Sequence, residues 1–145
     1  MEPVNHQRIE RSALALIGLF MLPAGLQAAF APQSFFEDFP LGRSWISHHG
    51  DQYNEHLVRD VGALGLGITI LLVAAAWTLS RPLLLDEGAA MTAAALPHTL
   101  YHLRHADVYD GTADKVASLG GVVLYTVLGG YVLVAARVVR RWPER

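Results

Sequence analysis

Four long apolar runs in a chain of 145 residues constrain this protein more than any other feature of its sequence. They cover residues 13–30, 61–79, 88–103 and 116–136. Each approaches the ~20 residues that carry an α-helix across about 30 Å of hydrocarbon. Lipid offers no partner to backbone N–H and C=O groups, so a spanning segment must satisfy them itself, as a helix does. The second run holds no charged residue, and the third is alanine-rich and the weakest of the four. Charged residues make up 17% of the chain, against about 25% in a soluble domain. These features predict an all-α fold: a bundle of four transmembrane helices, one domain over residues 1–145, with lipid bilayer as its solvent. A polar stretch at residues 31–60 separates the first two spans, and short links join the rest. No basic tract suits nucleic acid. There is no cysteine, which excludes thiolate metal sites, disulfides and thiol redox chemistry.

The first run also has the outline of a secretory signal, with Arg8 and Arg11 ahead of it and Ala29-Phe30-Ala31 at its end. Pro32 would follow the cut and block it, and the run is longer than a usual signal core. We therefore read it as a retained span, kinked at Pro23. Orientation follows from Lys and Arg in the short loops. With both termini in the cytoplasm, the inner side holds Arg8, Arg11, Arg81, Arg137, Arg140, Arg141 and Arg145. The outer side holds Arg43, Arg59, Arg104 and Lys115. Seven against four favours a multi-pass plasma-membrane protein in this orientation.

Six of the seven histidines then gather at the outward rim: His48, His49 and His56 before the second span, His98, His102 and His105 at the end of the third. At 100° per residue, the last three fall within about 60° of one helix face. Ionisable groups at membrane depth are costly and tend to face the bundle interior at functional sites. His56 and Asp60 form an i, i+4 pair in which a carboxylate can orient an imidazole or share a metal with it. Glu55 and Arg59 form a second pair about 100° away, in the favourable order for an ion pair. Pro97 removes a backbone donor just before His98 and His102, whose spacing of four suits two ligands on one helix. His105 extends the stripe outward. The candidate metal set is therefore His56, Asp60, His98, His102 and His105, and the candidate acid–base set is His56, Asp60, Glu55 and Arg59. Imidazoles and carboxylates without thiolates favour zinc or non-haem iron, with haem held by two histidines a weaker alternative. Asp114, at the start of the fourth span, is a further candidate ligand, though it reads first as a solvated loop charge.

Phe35, Phe36 and Phe39 flank Glu37 and Asp38, and Trp45 follows. This composition suits an element lying in the membrane interface, either as an anchor or as a lid over the rim. Glycines at 62, 65, 67, 120, 121, 129 and 130 suit closely packed helices.

The segments Phe35-Phe36-Glu37-Asp38-Phe39-Pro40 with Gly42-Arg43 and Trp45, the run from Tyr53 to Leu64 (YNEHLVRDVGAL), and Pro97-His98 with Tyr101-His102 carry a resemblance. In them the chain resembles a group of uncharacterised, small four-span membrane proteins of actinobacteria, and its plan is loosely DoxX-like. The resemblance covers most of the chain and implies the four-span architecture; it implies no activity. His105 and the His48-His49 pair lie outside its pattern.

Two functions follow as expectations. One is a His/carboxylate site at the outer face, binding a transition metal or doing acid–base chemistry on a lipid-like substrate. The other is a non-enzymatic accessory subunit of a larger membrane complex, or a homo-oligomer, whose polar residues are interhelical glue. A haem-bearing electron carrier is the third and weakest.

Overall fold

The computed structural model describes residues 3–47, 52–109 and 111–138, with side chains from residue 7 onward. Among these residues the chain folds into α1 (Pro3–Phe30), α2 (Pro32–Asp38), α3 (Glu55–Thr78), α4 (Arg81–Arg104) and α5 (Thr112–Val138). A 3-10 turn at Ala106–Val108 joins α4 to α5. No strand occurs among the described residues. His48, His49, Asp51 and Asp110 lie outside them.

The helices begin earlier than the apolar runs that announce them. α3 starts at Glu55 because the Asn54 side chain accepts a hydrogen bond from the Leu57 N–H at 3.1 Å, which satisfies an orphan donor of the first turn. α3 stops where Leu79 turns left-handed at φ 50°. α4 opens after Ser80, with Pro82 in its first turn, where the missing N–H is harmless. The run at 88–103 thus sits inside a longer helix that also takes in Asp86 and Glu87. α1 continues through Pro23 and α4 through Pro97.

Three helices, α1 from Gln7, α3 and α5, have the length and apolarity of membrane spans. α4 is as long as α3, 24 residues, but Arg81, Asp86, Glu87 and Arg104 hold its apolarity below the others. Three apolar spans indicate a multi-pass membrane protein.

Antiparallel α1 and α3 form one close pair, and α4 and α5 the other. Glycine sets both distances. A Cβ on Gly62 would lie 2.8 Å from the Ala28 carbonyl carbon and from Ala29 Cα. One on Gly88 would lie 2.6 Å from the Leu133 nitrogen. Gly129 performs the same service against Met91. Gly67, Gly120, Gly121 and Gly130 face open space instead, so only part of the glycine set does what the sequence suggested. The two pairs share a core of Ala13, Leu14 and Ile17 from α1, Leu72 and Ala75 from α3, Leu84 and Met91 from α4, and Val132 and Ala136 from α5. This core lies towards the end of the bundle where α1 begins and α3 turns into α4.

Candidate functional site

The opposite end of the bundle carries the rim. There the end of α1, the whole of α2, the start of α3, the end of α4 and the start of α5 come together. α2 is formed by the aromatic and acidic segment expected to lie at the membrane interface. Phe35 packs on Phe39 with ring centroids 4.7 Å apart, and Phe36 meets Tyr53 at 5.4 Å. α2, Tyr53 and the first turns of α3 border an open groove of about 510 Å³ edged by Glu37, Asp38, Glu55 and Arg59.

Glu55 and Arg59 form the expected ion pair, Nε to Oε1 at 2.8 Å. Arg59 does more than the pair requires. Its Nη1 donates to the Ala29 carbonyl at 2.6 Å, in the last turn of α1. A guanidinium at a helix C-terminus also meets the negative end of the helix dipole. Arg59 therefore staples α3 to α1.

His56 and Asp60 also form their pair, Nε2 to Oδ2 at 3.3 Å. The imidazole is 89% exposed, so the pair faces outward from α3. His98 and His102 lie edge to face on α4 with ring centroids 4.6 Å apart. His102 Nδ1 is 3.1 Å from the Tyr109 hydroxyl, and Ser118 Oγ donates to that hydroxyl at 2.6 Å. Tyr109 and Ser118 are both buried. The end of α4, the connecting turn and α5 are thereby joined through one polar chain. His105 turns back on its own helix, Nδ1 to the Tyr101 carbonyl at 2.8 Å, and stacks on the Tyr101 ring. Among the described residues, no three or more His, Asp and Glu side chains are grouped as a metal ion would need. The sequence-derived set thus falls into an outward pair on α3 and an edge-to-face pair on α4, with His105 spent on its own backbone.

Asp114 is not the solvated loop charge its position suggested. Its Oδ1 accepts from Trp45 Nε1 at 3.1 Å and from Arg43 Nη1. The Trp45 ring meets Tyr109 edge-on at 6.0 Å. The segment after α2 is held down on the start of α5 by these contacts, and Trp45 is a docking residue within the chain. Deeper in the same helix pair, Thr99 Oγ1 lies 2.7 Å from Thr126 Oγ1 and 3.0 Å from the Val122 carbonyl. At the far end, Arg81 Nε donates to the Ala136 carbonyl at 3.0 Å.

Among the described residues, two ionisable side chains outside the histidine and carboxylate pairs are the most deeply buried. Glu10 of α1 is 0% exposed and Glu87 of α4 is 1% exposed. Neither carboxyl has a hydrogen-bond partner at either oxygen. The signal for them was present. Glu10 leads the stripe Ala13, Leu14 and Ile17 at spacings of three, four and seven, and Glu87 sits between Leu84 and Met91 on the equivalent stripe of α4. Each lies just before the apolar run it belongs to, outside the stretch that apolarity marks.

No family model matches the chain, and neither a curated protein nor a solved structure matches it.

Proposed function

We propose that the chain is a non-enzymatic subunit of a larger membrane assembly, that it crosses the plasma membrane four times, and that its rim polar residues hold its own helices together. The carrying observation is the character of α4. This helix follows α5 closely, from Gly88 against Leu133 to Thr99 against Val122, so it crosses where α5 crosses. Yet its outward face presents Asp86, Ala89, Ala90, Ala93 and Ala94. A face of small residues with a carboxylate is poorly matched to lipid and well matched to another helix, since small residues permit close backbone approach. The rim residues support the same reading: Arg59, His102, His105, Asp114 and Thr99 all bond within the chain.

Single-cysteine variants test this in a chain with no cysteine of its own. A cysteine at Ala93, cross-linked in native membranes with a short apolar reagent, is expected to give one discrete adduct, with a second copy or with one other protein. A cysteine at Leu64, exposed on α3, is expected to give none. Equal or absent cross-linking at both positions contradicts the reading. In the same set, a cysteine at Ser47 reacts with an impermeant reagent from outside intact cells if the termini are cytoplasmic; protection there reverses the orientation.

The second reading keeps the metal or acid–base site. It is favoured by the His98–His102 pair. With Nδ1 held by Tyr109, the His102 imidazole is oriented in the manner of a metal-binding histidine. Zinc or non-haem iron would suit these donors, with His56 and Asp60 as the further candidates, Glu55 and Arg59 flanking them, and haem the less suitable occupant.

A further inference from the structure

The two buried carboxyls have no part in either reading, and their placement is expensive. Moving an ionised carboxylate out of water without partners costs far more than a folded chain can supply, so such a group takes a proton instead. Even the neutral acid loses its hydrogen bonds to water. Glu10 and Glu87 recover none of this, since all four of their oxygens are unpaired.

Their surroundings select the ligand. A metal ion needs a shell of oxygen or nitrogen donors. The stripes carrying the two acids bring Ala13, Leu14 and Ile17 to one, and Leu84, Gly88 and Met91 to the other. None of these side chains offers an oxygen or nitrogen donor, and the lone Met91 thioether makes no shell. A proton needs no shell. Among the described residues, the ionisable groups around the two acids are few. Arg8 and Arg11 are exposed on α1, and α3 holds no ionisable residue from 61 to 79. On α4, Asp86 is exposed and Arg81 is bonded to Ala136. α5 brings Tyr131 within electrostatic reach of Glu10 and Tyr125 within reach of Glu87, while its Arg137 is exposed. The Tyr125 hydroxyl is itself directed at Met21 Sδ of α1, 3.2 Å away.

The position of the acids also matters. Each lies on a stripe turned towards the core shared by the α1/α3 and α4/α5 pairs. Contacts within each pair are extensive, whereas those between the pairs are sparser. The boundary between the pairs is therefore the place where the bundle opens most readily.

We infer that Glu10 and Glu87 are proton-binding sites inside the bundle, each holding a proton while the two helix pairs are closed and exchanging it when the seam between them admits water. The step is a simple acid dissociation, carboxylic acid to carboxylate plus a proton delivered to water, and closure requires the reverse. The ligand is the proton.

Infrared spectroscopy of the intact protein in lipid tests this directly. The wild type is expected to show carbonyl absorption of protonated acids in an apolar environment at neutral pH. Glu10→Gln and Glu87→Gln should each remove one component, and the double variant both. Transfer to deuterium oxide should shift the band, because an exchanging acid takes up deuterium. A band unchanged by the substitutions shows the acids to be ionised and overturns the proposal. A band that never shifts in deuterium oxide makes them inert fixtures and overturns it equally. Should a glutamine variant fail to fold, the wild type still decides by a second route. An apolar carbodiimide should form N-acylurea adducts on the peptides carrying Glu10 and Glu87, found by mass spectrometry, while a water-soluble carbodiimide should not. Modification by the water-soluble reagent alone, or by neither, contradicts the proposal. Neither route depends on a partner protein, so the subunit reading can fail without affecting it.

Discussion

Gly62→Ala is expected to destabilise the bundle by about 1–3 kcal/mol, the usual range for overpacking a filled contact. The added methyl would meet the Ala28 and Ala29 backbone at 2.8 Å. A flexible side chain could move aside, but a helix backbone moves only as a unit, so α1 and α3 must separate along their closest line. That shift also loosens Arg59, which crosses from α3 to the Ala29 carbonyl in the same region. Gly67→Ala is the control, since nothing lies within 4 Å of the added atom. It should be neutral or stabilising by up to about 1 kcal/mol, because alanine loses less backbone freedom in a helix. Denaturation in mixed detergent micelles, compared across wild type and both variants, reads the difference. Equal stability of the two variants would contradict the close approach.

Glu87→Leu should move stability in the opposite direction. A leucine of similar reach removes two oxygens that have no partner and adds apolar contact with the stripe holding Leu84 and Met91. Replacing an unsatisfied polar group by an apolar one is expected to stabilise by about 1–3 kcal/mol, the desolvation penalty removed. Glu10→Leu should act alike beside Ala13 and Leu14. Increased stability with two acids deleted would mean that the chain keeps them at a cost, as expected of groups retained for function. A large loss of stability in either variant would show that the carboxyl has a partner in the folded state and would remove the premise. The same denaturation assay distinguishes the outcomes.

Much of the fold was legible because lipid imposes a simple rule. Uninterrupted apolar runs marked α1, α3 and α5, and a local i, i+4 pattern correctly paired Glu55 with Arg59 and His56 with Asp60. Helix ends were less legible. Apolarity marks the stretch that can sit in lipid, whereas Asn54 and the Ser80-Arg81-Pro82 start extend α3 and α4 beyond it. For α4 this had a consequence. Reading the run from Gly88 left Glu87 in a link, when its spacing from Leu84 and Met91 places it in the core. The rim was legible as a place and less so as a site. Spacing brings His98 and His102 together on one helix, but no local pattern reveals that Tyr109 and Ser118 engage His102, or that Arg43 and Trp45 engage Asp114. Those partners are brought in by the turn after α4 and the segment after α2, and their register is decided by packing.

The rim account depends on His98 and His102 serving as structural residues. Elemental analysis of the detergent-purified protein, wild type beside the His98→Ala/His102→Ala double variant, tests this most directly. The expected result is transition-metal content well below one ion per chain and the same in both proteins, with the double variant still folded because interhelical hydrogen bonds average only about 0.6 kcal/mol. Close to one zinc or iron per wild-type chain, lost in the double variant, would contradict the account and establish the rim as a metal centre.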